Sequence, residues 1–138
     1  MDDALARVRF GGAPVAVLAT VAADGSPRLV PVTFACAGDR GVIAVDHKPK
    51  TTRQLARLSD IERDPRVALL AQFYDADWAQ LWWVRATGTA VVKDDEPAVT
   101  DAAALLAAKY HQYREHPPAG PIIDVAIETW RSWEAQPA

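Results

Sequence analysis

Asp46 to Leu58 reads DHKPKTTRQLARL, and this stretch leaves the chain few options. The apolar run GVIAV leads into it. Four formal positive charges then follow with no acid among them: Lys48, Lys50, Arg53 and Arg57. Thr51 or Thr52 stands where a helix N-cap belongs, and Leu55, Leu58 and Ile61 repeat at helical spacing behind it. The pattern predicts a strand, a basic turn and a helix from about Thr51 to Arg63. At such a helix start the unpaired backbone N–H groups and the positive end of the dipole face the turn. Lys50 and Arg53 reach the same point, so the turn makes an anion site with phosphate as its natural guest. The same residues also describe a solvated turn ahead of an amphipathic surface helix. The neighbouring segments decide between the two.

Those segments are mostly strands. Asp2 to Phe10 predicts a short amphipathic helix that Gly11 and Gly12 end. Ala13 to Ala22 is continuously apolar and Val-rich, which suits a strand covered on both faces. Asp24-Gly25 is a hairpin signal. The return strand runs from about Pro27 to Cys36, and Pro31 inside it argues for an edge or a bulge. Gly41 to Asp46 is the third strand. Asp64-Pro65 stops the helix that follows, because the residue before proline avoids helical dihedrals. Arg66 to Tyr74 is the fourth strand and Leu81 to Val92 the fifth, with Gly88 marking a bulge or a close approach. An alanine-rich helix runs over about Ala98 to Lys109, YHQYREHPPAGP reads as a loop, and Ile122 to Ile127 is the last strand. Six strands joined by short turns, with two or three helices, predict a mainly β (α+β) single domain: a small antiparallel barrel with helices at its ends.

Composition narrows the partners. The chain has 138 residues and a net charge of −3, so it carries no global basic field for nucleic acid. An acidic chain must concentrate positive charge locally to hold an anion, which again singles out residues 48–57. Cys36 is the only cysteine, which excludes an intrachain disulfide and points to a reducing compartment, the cytoplasm. APVAVLATVAA is too short, and too acidic in its approach, for a signal segment. No stretch is long enough to span a membrane. His47, His111 and His116 have no ligand-spaced partners, so no metal site is expected.

The ordered set of motifs resembles the split-barrel flavin-binding superfamily named after pyridoxamine 5′-phosphate oxidase. VAVLATVAADGSPRLVPVTF matches its opening pattern, and VDHKPKTTRQLARL followed by DPRVALL matches its phosphate-binding segment and next strand. WWVRATGTA and a final strand ending in tryptophan complete the outline. Within the superfamily the chain most resembles the small actinobacterial proteins described as deazaflavin (coenzyme F-420) dependent oxidoreductases.

The resemblance implies a six-stranded split barrel of the FMN-binding type, forming a homodimer with two flavin-type cofactors in grooves at the interface. The cofactor would be F-420, with FMN as the alternative because the same basic turn serves both. Its phosphate would meet Lys50, helped by Thr51 or Thr52 and Arg53, with Lys48 nearby. Backbone groups around Thr20, Pro31, Val32 and Thr33 would border the ring, and Trp82 and Trp83 lie in the strand that lines the groove. Adjacent strand residues face opposite ways, so only one of these two tryptophans faces any one groove. No catalytic acid or base is implied, since the cofactor carries the hydride chemistry. The resemblance also allows a dimer that sequesters a flavin or tetrapyrrole without turnover. The chain lacks the longer enzyme's terminal arginine–leucine motif, which argues against vitamin B6 oxidation.

Overall fold

The computed structural model describes residues 1–45 and 52–136, the side chains of 52–55 excepted. Helix α1 (Asp3–Gly12) is followed by strands β1 (Ala16–Val21), β2 (Pro27–Val32), β3 (Ala35–Ala37) and β4 (Arg40–Ala44). Helix α2 (Thr52–Arg63), β5 (Arg66–Phe73), a 3₁₀ turn at Trp78–Gln80 and β6 (Trp82–Lys93) come next. Helices α3 (Glu96–Lys109) and α4 (His111–Glu115) precede the last strand, β7 (Ile122–Glu134). The described residues form one antiparallel sheet of seven strands in the order β2-β1-β5-β6-β7-β4-β3.

The connectivity dictates the shape. β2 and β3 stand at opposite ends of that order, yet only Thr33 and Phe34 separate them. Three peptide steps span at most about 11 Å, so the sheet must curl until its two edges approach. The result is a barrel left open along one seam, with the β2–β3 corner crossing it. Phe10, Leu18, Phe34, Ile43, Leu69, Val84, Ile123 and Val125 fill the interior and are almost wholly shielded from solvent. Phe10 on α1 closes this core against Phe34 and Trp130, with ring centroids 4.9 and 5.2 Å away. On the other side of β4, Val42 packs with Leu106 of α3 and Ile122 in a second, smaller cluster.

Local signals in the chain explain most boundaries. Asp2 caps α1 by accepting from the Leu5 N–H, and Asp95 caps α3 by accepting from Ala98, with Pro97 in its first turn. Gly25 takes a φ of 85° in the β1–β2 hairpin, where its lack of a side chain is needed. Pro31 lies on β2, which among the described residues pairs with β1 alone, so the missing N–H costs no ladder bond there. Gly88 sits at the register shift between β6 and β7, where a Cβ would come 1.9 Å from the Ala126 carbonyl oxygen.

Four expectations need correction. The return strand predicted over Pro27 to Cys36 is two strands, which makes seven in place of six. Its backbone leaves the ladder at Phe34, whose N–H donates to the Tyr110 hydroxyl and whose carbonyl accepts from Tyr110 and Lys109. The first strand starts at Ala16 and alternates: Ala16, Leu18 and Thr20 are buried, while Val17, Ala19 and Val21 are half-buried. The predicted loop after α3 contains α4, a fourth helix. The last strand runs on to Glu134 because β6 pairs with it along its whole length, so Trp130 and Trp133 lie within the strand.

Candidate functional site

α2 follows the basic turn in the chain, and a buried carboxylate fixes α2. Asp60 is 2 % exposed. It accepts from the Thr20 hydroxyl at 3.0 Å, from Arg28 Nε at 2.7 Å and from Arg63 at 3.0 Å. Thr20 and Arg28 are directly opposite each other across β1 and β2, so one side chain of the helix ties down both strands. Arg63 also donates to the Val21 carbonyl at 2.9 Å. Burial pushes the Asp60 carboxyl upward, but the hydrogen bonds from Arg28, Arg63 and Thr20 outweigh it and hold the group below the ordinary carboxylate range. No acid occupies the first turn of α2, so the positive end of its dipole is left uncancelled there. Arg57, one turn before Asp60, is half-buried, and that burial lowers its pKa.

The predicted site residues fall into separate places. Lys48, Lys50 and Thr51 lie outside the described residues. Thr52 opens α2 with Arg53 next to it, and their side chains are also outside the described set. Thr20 points inward to Asp60, leaving only its backbone to border a groove. Val32 is part of the barrel core, whereas Pro31 is exposed on the outer face opposite Val17. Thr33 is half-buried at the β2–β3 corner, where its hydroxyl shares a 2.8 Å hydrogen bond with that of Tyr113. The two tryptophans face opposite ways. Trp82 packs inward against the core, with the Arg9 guanidinium 5.6 Å from its ring. Trp83 faces outward, carries Arg85 at 5.4 Å and pairs across the strands with Trp133, which is 46 % exposed.

Two features were missed from sequence. One is the Asp60 network, since an aspartate within an amphipathic helix reads as a solvated residue. The other is an open cleft of about 570 Å³ on the outer face, lined by Ala19, Val21, Ala68, Thr87, Gly88 and Thr129 among others. Its signal was the run of small residues at alternate positions on three neighbouring strands. On the same face Val15, Leu29 and Trp133 leave large apolar surface exposed, Leu29 at 67 %.

Solved structures share this architecture. A conserved hypothetical protein, Rv2991, from Mycobacterium tuberculosis superposes with a TM-score of 0.77 at 19% identity, covering 97% of this chain and 85% of its own. An FAD-binding protein from Mesorhizobium loti gives 0.75 at 15% identity, covering 99% and 96%. A heme-binding protein from Mycobacterium smegmatis gives 0.74 at 17% identity, covering 94% of this chain and 52% of its own. No curated protein sequence matches. These structures share the fold of this chain. The family model for pyridoxamine 5′-phosphate oxidase matches residues 1–134, and the chain belongs to that family.

Proposed function

We propose that this chain is an oxidoreductase that binds a flavin-type cofactor, F-420 in the first instance, and passes a hydride to a small organic acceptor with an activated double bond or carbonyl. One observation carries the reading. The Asp60 carboxylate clamps α2, the helix that follows the basic turn, onto the β1–β2 pair that leads into Pro31, Val32 and Thr33. The helix that follows the turn expected to hold the phosphate is thus tied to the strands expected to lead to the ring, which supports the reading. The donor set suits an anionic cofactor, because the first turn of α2 carries no acid and the half-buried Arg57 brings a further positive charge toward the same helix.

In this reading Lys50 and Arg53 bind the phosphate, with Lys48, Thr51 and Thr52 beside them, and the backbone from Pro31 to Thr33 borders the ring. The cofactor, when bound, supplies the hydride. The protein binds and orients it and excludes water. A second copy covers the outer face, where Val15, Leu29 and Trp133 are exposed, and brings Trp83 and Trp133 to the groove of its neighbour. FMN is the alternative cofactor, supported by the FAD-binding relative of the same fold. Sequestration without turnover is a second reading, supported by the heme-binding relative. Fluorescence titration with F-420 and FMN tests cofactor binding, and oxidation of reduced F-420 by added acceptors separates an enzyme from a carrier.

A further inference from the structure

Three side chains at the end of α3 and in α4 surround the β2–β3 corner without any part in the cofactor reading above. Lys109, the last residue of α3, donates to the Phe34 carbonyl oxygen at 2.9 Å and stands 3.8 Å from the centroid of the Phe34 ring. The Tyr110 ring lies 5.1 Å from the same amine, and its hydroxyl is held by the carbonyl oxygens of Pro14 and Phe34. Tyr113 meets Tyr110 edge-on at 5.7 Å, and its hydroxyl shares the hydrogen bond with Thr33. Lys109, Tyr113 and Thr33 are all half-buried, so the corner lies at the rim of the barrel and is not sealed inside it.

Among the described residues, the charge at this corner is unbalanced. The Lys109 ammonium has a carbonyl dipole and two ring faces around it, and no carboxylate among the described residues pairs with it. Cys36 on β3 faces the amine, but burial pushes its thiol up to about 11, so it is neutral at pH 7. The Tyr110 hydroxyl is likewise pushed upward, by burial foremost, and is neutral. Burial lowers Lys109 itself to about 8, with Cys36 acting weakly in the opposite direction. A partly desolvated cation with N–H groups to spare, at the same corner as the Thr33–Tyr113 hydroxyl pair, gains most from an anionic partner.

We propose that Lys109, with the hydroxyls of Thr33 and Tyr113, forms a binding site for a small organic carboxylate. The Thr33 and Tyr113 hydroxyls already share one hydrogen bond, so the pair has one further O–H to donate. One positive charge and one neutral donor match a single negative charge, whereas a phosphate dianion would leave charge uncompensated. The aromatic surroundings favour a carboxylate carried on an apolar or aromatic body. The site does not depend on which cofactor binds. Where the cofactor reading holds, Thr33 is common to both sites, and the carboxylate is that of the hydride acceptor.

The test uses the cofactor-free protein, so that its failure is separate from failure of the cofactor reading. Benzoate serves as the probe, with inorganic phosphate as the comparison. Calorimetry is expected to show benzoate binding that weakens as pH rises through about 8, where the ammonium is lost. Lys109→Arg is expected to retain the binding without that pH dependence. Lys109→Met is expected to weaken it by about tenfold or more, the scale of one charge-assisted hydrogen bond. Titration of the Lys109 amine by nitrogen NMR is expected to move to higher pH when benzoate is added. An unmoved titration, equal affinity in Lys109→Met, or phosphate bound more tightly than benzoate would each overturn the proposal.

Discussion

Arg28 and Asp60, 32 residues apart in sequence, meet at 2.7 Å, the guanidinium at the surface and the carboxylate buried. Arg63 and Thr20 complete the set, so no polar atom of this buried group is left without a partner. Removing the acid leaves the buried Thr20 hydroxyl unpaired and takes a shared carboxylate from two surface guanidiniums. Asp60→Ala is expected to cost about 2 kcal/mol, the scale for losing hydrogen bonds to a charged group and leaving a buried hydroxyl unpaired. Urea unfolding measures it, and a loss below about 1 kcal/mol would mean that the network is incidental.

The same group sets an acid limit. Its folded pKa lies below the unfolded value, so its contribution is complete above the unfolded carboxylate pKa of about 3.9 and is lost as pH falls through the folded value. Stability of the native chain is expected to fall below about pH 4, and Asp60→Asn is expected to show a shallower acid slope. Parallel slopes in the two proteins would assign the acid sensitivity to other carboxylates, such as Asp64, which Arg66 holds down at about 2.

Much of the barrel was readable because single residues with strong backbone preferences mark its turning points. Asp64-Pro65 stopped α2, Asp24-Gly25 made the first hairpin, Pro31 marked an edge strand, and Gly88 marked the β-bulge. The split of Pro27 to Cys36 was not readable. It depends on Tyr110 and Lys109, more than 70 residues away, taking the hydrogen bonds of the Phe34 backbone. Strand β7 ran longer than its apolar pattern because its pairing with β6, not its own burial, defines its end. The sequence reads the basic turn as an anion site, and residues 46–51 lie outside the described residues. The helix behind it gave no hint that Asp60 faces inward, since one buried aspartate barely alters an amphipathic pattern.

Gly88 offers a test of the bulge. Its hypothetical Cβ would lie 1.9 Å from a backbone oxygen of β7, and backbone yields less readily than a side chain. Gly88→Ala is expected to destabilise the fold by about 3 kcal/mol, the upper range for overpacking a close contact. Thermal unfolding unchanged from the native chain would show that β6 and β7 separate there at little cost.

Leu29 tests the interface. It is 67 % exposed on the outer face of β2, beside the cleft, where burial against a second copy would remove apolar area from water. Leu29→Glu is expected to convert a dimer into a folded monomer in sedimentation experiments at micromolar concentration. A monomeric native chain would remove the interface, and with it the role given to Trp83 and Trp133.

Lys50→Ala is expected to weaken cofactor binding by about 1–3 kcal/mol, the range for one hydrogen bond to a charged group. The most direct measurement is therefore fluorescence titration of the purified native chain with F-420 and, separately, with FMN. Saturable quenching of tryptophan by F-420, tighter than by FMN, is the result expected of a deazaflavin oxidoreductase. Binding of neither cofactor would contradict the central claim and reduce the basic turn to a solvated surface feature of an otherwise intact split barrel.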